Sequence, residues 1–207
     1  MKTRDGSFTR AVLYRIMLAA SFVLFAIPPI FAQSASNTAL GNTDANPDPV
    51  FVFNRICYAQ VPDVRAIRSM SLELAWRSMA KEELAQFKTV DDPKVLDGWD
   101  VQVGERLFKV AVQQSGLTAS QKKAFPDFGA GTATTCSIVL DDQQLASVFM
   151  PNMQTLAGKE PVSKDVPEGL LQVTTWAGGN DAIKVFLVAK APATGKGGLL
   201  NVTVLQK

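Results

Sequence analysis

From residue 49 onward the apolar positions fall first at helical and then at strand spacing. In "VFVFNRICYAQ", Phe53, Ile56 and Cys57 recur three and four residues apart, the period of one helix face. Asp48 before Pro49 supplies an N-cap acceptor and a preset φ for that helix, and Pro62 stops it. Asp63 caps a second helix, along which Val64, Ile67, then Met70 or Ser71, and Leu74 share a face. A third short helix is predicted over residues 79–87, where Leu84 and Phe87 fall together. Amphipathic packing accounts for the Met and aromatic positions of this half as core residues.

The second half alternates. "WDVQV" and "LFKVAVQ" flank Gly104 and Glu105, the signature of a two-residue hairpin, with Val101 and Val103 on one strand and Phe108, Val110 and Val112 on the other. "GLTASQKKAFPDFGAG" reads as a loop. In the strand after it, "TTCSIVL", Cys136, Ile138 and Leu140 share a face. Asp141 or Asp142 is then expected to cap a helix through Val148 and Phe149, with Pro151 kinking it or starting a new turn. Three further strands, residues 170–176, 183–190 and 199–206, are joined by "AGGND" and "APATGKGG", hairpin loops by composition. Strands joined by short loops run antiparallel. The expected fold is therefore α+β, with N-terminal helices packed on a mainly antiparallel sheet of about five to six strands, in one domain over residues 49–207.

The N-terminus carries a different pattern. Lys2, Arg4, Arg10 and Arg15 precede an apolar run over residues 16–27, which Pro28 and Pro29 end. That is the basic and apolar order of a secretory signal, here assigned to residues 1–32 with cleavage after Ala32 or, second, Ala35. The alternative is a retained anchor, but the run falls short of the roughly 18 to 20 residues a span needs, so no membrane span is expected after cleavage. Residues 33–48 are small, polar and without period, a flexible leader. Export changes the charge: the chain has 21 basic and 19 acidic side chains, and removing four basic groups and Asp5 leaves 17 against 18, a net of −1. No basic stripe remains for a phosphate backbone, so nucleic acid is not an expected partner.

Candidate chemistry is defined first by what is missing. The chain contains no histidine and only two cysteines. Ser-His-Asp and Cys-His catalysis, imidazole metal sites and closed Cys-rich zinc sites are excluded, so neither a metal nor another cofactor is expected. Cys136 in an apolar strand lacks the cationic neighbour that activates a thiolate. An even cysteine count in an exported chain favours a disulfide between Cys57 and Cys136 over two reduced core thiols, since both lie on apolar faces.

Three weaker signals remain. Ser120 and Lys123 have the S-x-x-K spacing of penicillin-binding proteins, but the S-D-N and K-T-G elements are missing, and a solvated loop explains them as well. "TGKGGLL" lacks the Ser or Thr and the spaced Gly of a phosphate loop. In "GKEPVSKDVPEG", Lys159, Glu160, Lys164, Asp165 and Glu168 crowd one connection. Carboxylates there, or Asp141 with Asp142, have acid/base capacity; mixed-sign charge in a Pro-containing loop is more often a solvated surface.

The order "FNRICYAQVPDVRAIRSM", "LDGWDV", "TTCSIVL", "TTWAGG" and "GGLLNVTVLQ" resembles small exported proteobacterial α+β proteins of no assigned activity. The resemblance implies a periplasmic α+β domain and brings no catalytic residue with it. Two function classes follow. One is a noncatalytic binding or envelope-accessory module for a protein, peptide or small molecule. The other is a small histidine-free hydrolase or transferase using carboxylates or Ser120 with Lys123.

Overall fold

The structure, a computed structural model, describes residues 47–193 and 195–207, with the side chains of residues 141–144 outside the description. The expected signal segment and all of the leader but Pro47 and Asp48 lie outside the described residues. Helix α1 (Pro49–Phe53) starts on the expected cap, Asp48 Oδ1 accepting from the Val50 N–H at 2.7 Å. It runs on into a π-helical turn (Asn54–Tyr58) and ends before Pro62. Asp63 caps α2 (Val64–Glu73), its Oδ1 accepting from the Arg65 N–H at 2.9 Å. There follow β1 (Arg77–Ser78), α3 (Lys81–Leu84) with a 3-10 turn (Ala85–Phe87), then β2 (Val95–Val103) and β3 (Arg106–Gly116). Next come α4 (Ala119–Ala124), a 3-10 turn (Pro126–Phe128), β4 (Thr132–Leu145) and α5 (Ala146–Ala157). β5 (Ser163–Glu168), β6 (Leu171–Gly179), β7 (Ile183–Pro192) and β8 (Lys196–Gln206) complete the chain.

The fold is α+β, built on one antiparallel sheet of eight strands in the order β1-β2-β3-β4-β8-β7-β6-β5. The expectation of five to six strands, with helices gathered at the N-terminus, is corrected on both counts. The additional strands are β1 and β5, the two sheet edges. β5 is almost wholly exposed, so no apolar alternation marks it in sequence. The helices are interleaved: β1 precedes α3, and α4 and α5 separate strands. α4 lies in the expected loop and carries a capping box, with Gln121 N–H to Thr118 Oγ1 at 3.2 Å and Thr118 N–H to Gln121 Oε1 at 2.8 Å. Asp141 and Asp142 do not cap a helix. β4 stays paired with β8 past them, across a register shift, to Leu145 opposite Lys196. α5 therefore begins at Ala146 with no side-chain cap, and Pro151 lies inside it.

Period-2 alternation puts one row of side chains from every long strand on the same face. The central row is Val112, Cys136, Val202, Leu187 and Trp176, each opposite the next. Beside it runs Trp99, Val110, Ile138, Leu200, Ala189 and Thr174. α1, the π-helical turn and α5 lie over this face, where Val50, Phe53, Ile56, Phe149 and Met153 join the core. Burying each such large apolar side chain contributes roughly 1.5–3 kcal/mol. At the centre, Cys57 of the π-helical turn and Cys136 of β4 lie at disulfide distance, both fully buried, with Cα atoms 5.3 Å apart. The Gly104–Glu105 hairpin forms where expected, Val103 opposite Arg106, with Gly104 at φ 58°.

The disulfide closes a loop of 79 residues, for which chain entropy gives about 4 kcal/mol. Replacing both cysteines (Cys57→Ala with Cys136→Ala) should lower the urea midpoint by that equivalent. An unchanged midpoint would show that the cross-link adds nothing to the packing around it.

Candidate functional site

The row that begins at Trp99 ends in small and polar residues, and a cleft opens there. Trp176 fills the space under α5 and donates its indole N–H to Gln154 Oε1 at 2.9 Å. Two and four residues back along the same face of β6, Thr174 and Gln172 replace bulk with polarity, opposite Ala189 and Ala191 of β7. The residues that open the helix above, Ala146 and Ser147, are small. A cleft of about 260 Å³ results, lined by Ala146, Ser147 and Met150 of α5, Asp165 of β5, Gln172 and Thr174 of β6, and Ala191, Pro192 and Ala193. It lies just below the volume range of drug-sized ligand sites.

Asp165 reaches this cleft because of a bulge. Ser163 pairs with Thr175, yet Val166 pairs with Val173, so β5 carries one residue more than β6 over this span. Without that residue Asp165 would share the face of Ser163 and Thr175; with it, Asp165 lies beside Thr174 on the helix-covered face. Bulges re-aim side chains in this way at sheet edges. Asp165 takes up the turn at φ 53°, a left-handed conformation that Asp tolerates better than most residues. Thr174, 2 % exposed, locks the arrangement: its hydroxyl donates to Asp165 Oδ1 and accepts from the Asp165 N–H, both at 3.3 Å.

The residues singled out in sequence are scattered. Of the charged group, only Asp165 lines the cleft. Glu168 pairs with Lys190 Nζ at 2.6 Å, and Lys159 donates to the Ala177 carbonyl. Ser120 and Lys123 lie exposed on α4, where the Ser120 hydroxyl pairs with that of Thr118 at 3.0 Å. Asp141 and Asp142 belong to β4. Among the described residues no group of three or more acidic or cysteine side chains is arranged to hold a metal ion. Gln172 and Thr174 were missed, yet a signal exists: in "LQVTTW" they share the face of Trp176, polar residues on a core-facing row.

A second polar cluster lies on the opposite sheet face. Asp100 and Lys109 are cross-strand partners at 3.2 Å, and Arg77 of β1 also contacts Asp100. Glu83 of α3 joins them, 2.9 Å from Lys109 Nζ and 3.6 Å from Arg77. Met79 and Leu84 pack beside this network on Gly98, where an added Cβ would stand 2.5 Å from Leu84 Cδ2. Every charge is satisfied by another, so the cluster clamps α3 to the sheet rather than presenting a free acid or base. The Ala80 N–H and the Lys109 ammonium hold the Glu83 carboxyl down from 4.5 to about 2.

A depressed carboxyl stabilises the fold fully above its ordinary value and loses that contribution as the folded group protonates. Stability should therefore fall between pH 4.5 and about 2, and Glu83→Gln should flatten that limb in melting curves taken across the range. Among the described residues no helix is long and apolar enough to cross a membrane. No protein-family model matches this chain, and neither a curated protein nor a solved structure matches it significantly.

Proposed function

We propose that this chain is an exported, periplasmic, noncatalytic binding module that takes a small ligand into the cleft between α5 and β5-β6-β7. The observation that carries the reading is the convergence of Ser147, Asp165, Gln172 and Thr174 on one concavity with an apolar floor of Ala146, Met150 and Ala191. A few placed polar groups over apolar walls are the general form of a small-molecule site. An acid/base reading asks for two titratable groups in reach of one reacting atom. Among the described residues this cleft brings in one carboxylate, and Ser120 with Lys123 lies outside it. The sheet edge is less suited to a partner strand, because β5 carries Pro167 and the bulge, features that blunt edges against pairing. The basic, apolar and Pro-terminated N-terminal sequence supports export, as does the cysteine pair.

Amide NMR with a library of small polar fragments tests the cleft. Saturable shifts should centre on Ser147, Gln172, Thr174 and Ala191, and Ala191→Leu, which places bulk in the cleft, should abolish them. Shifts centred elsewhere and indifferent to Ala191→Leu would sink the proposal.

A further inference from the structure

We infer that the ligand of this cleft is a small organic cation, a primary ammonium on a short apolar body, with its charged end at Asp165. This rests on the cleft being a binding site and adds the ligand's class. Three observations lead to it.

Charge comes first. Among the described residues Asp165 is the one charged side chain lining the cleft; the other polar lining side chains, Ser147, Gln172 and Thr174, are neutral. A ligand carboxylate or phosphate would meet a full negative charge held beside it, whereas an ammonium would gain a charge-assisted hydrogen bond. The start of α5 contributes a partial positive charge at the same cleft, but that amounts to about half a unit and is readily screened. The full charge of Asp165 decides the sign.

Placement is the second. The carboxylate is held at the cleft by the β5 bulge and by a nearly buried Thr174 hydroxyl that occupies Oδ1. Among the described residues Oδ2 takes no hydrogen bond, so one oxygen is braced while the other keeps its capacity to accept. The Thr174 hydroxyl that braces it is neutral and leaves its charge in place.

The remaining lining is the third. Pro151 has no N–H, so the Ser147 carbonyl lacks the helical partner four residues on. Gln172 adds an amide oxygen. An ammonium carries three donors, and the residues lining the cleft include acceptor-bearing Asp165, Gln172 and Ser147. Met150, Ala191 and Pro192 line the same cleft with apolar surface for the carbon chain.

The probes are n-butylammonium, n-butanol and butyrate, of similar size and different charge, titrated into the full chain at pH 7, where the amine is charged as lysine is. Butylammonium should shift the amides of Ser147, Gln172 and Thr174 at the lowest concentration, butanol should need more, and butyrate should bind least. Asp165→Asn keeps an acceptor for Thr174 and the tolerance of a left-handed φ. It should weaken butylammonium about threefold to tenfold, as a partly exposed charged hydrogen bond predicts, and leave butanol unchanged. Butyrate binding as tightly as butylammonium overturns the inference, as does an Asp165→Asn protein that binds the amine unaltered. If butanol or butyrate titrates the cleft and butylammonium does not, the cation fails and the cleft stands; if no probe does and fragment shifts map elsewhere, both fail.

Discussion

An open antiparallel sheet has to hide one apolar face, and in this protein the six inner strands, β2 to β4 and β6 to β8, share that task through aligned cross-strand rows. Val112, Cys136, Val202, Leu187 and Trp176 form a continuous apolar band from the β3 side to β6. Shifting one strand by a single residue would send its whole contribution to the other face. The layer of α1, the π-helical turn and α5 exists to cover that band, and the Cys57–Cys136 pair ties the layer to the band at its middle. Register, helix placement and cross-link are thus three aspects of one constraint.

The cleft arises where the band runs out. Trp176 is the last large apolar residue on this face of β6; beyond it Thr174 and Gln172 stand opposite alanines, and a cleft remains beneath Ala146, Ser147 and Met150 of α5. A core edge that ends in polar residues is costly unless those residues find partners. Thr174 finds Asp165, and Asp165 arrives only because β5 holds an extra residue. That bulge has two effects from one cause: it sets an exposed carboxylate beside Thr174 at the cleft and it roughens the sheet edge against unwanted pairing.

Charge is handled differently on the two faces. Arg77, Glu83, Asp100 and Lys109 neutralise one another across β1, α3, β2 and β3, a network in which each charge is paired with an opposite one. Asp165 is braced by a neutral hydroxyl instead, which orients the carboxylate without cancelling its charge. Such a network suits holding a helix in place, while a single oriented charge beside an apolar floor suits recognition.

Much of the fold was legible in the chain itself. Asp48 with Pro49, and Asp63, marked their helix starts because capping is a contact between near neighbours. Gly104–Glu105 marked its hairpin, and alternation through Cys136, Ile138 and Leu140 marked the inward face of β4 for the same local reason. "TASQ" in the expected loop also held a capping box, a local signal overlooked among polar residues. Other features depended on distant chain. Asp141 and Asp142 look like helix caps to their neighbours, but the pairing of β8 extends β4 through them. β5 lacks alternation because an edge strand with two exposed faces needs none. Asp165 was visible as one charge among several; a one-residue shift against β6, which no local pattern records, brought it beside Thr174. Short-range sterics and hydrogen bonds set what the sequence determined by itself. The cleft was decided by register between strands, a property of the folded sheet that belongs to no single segment.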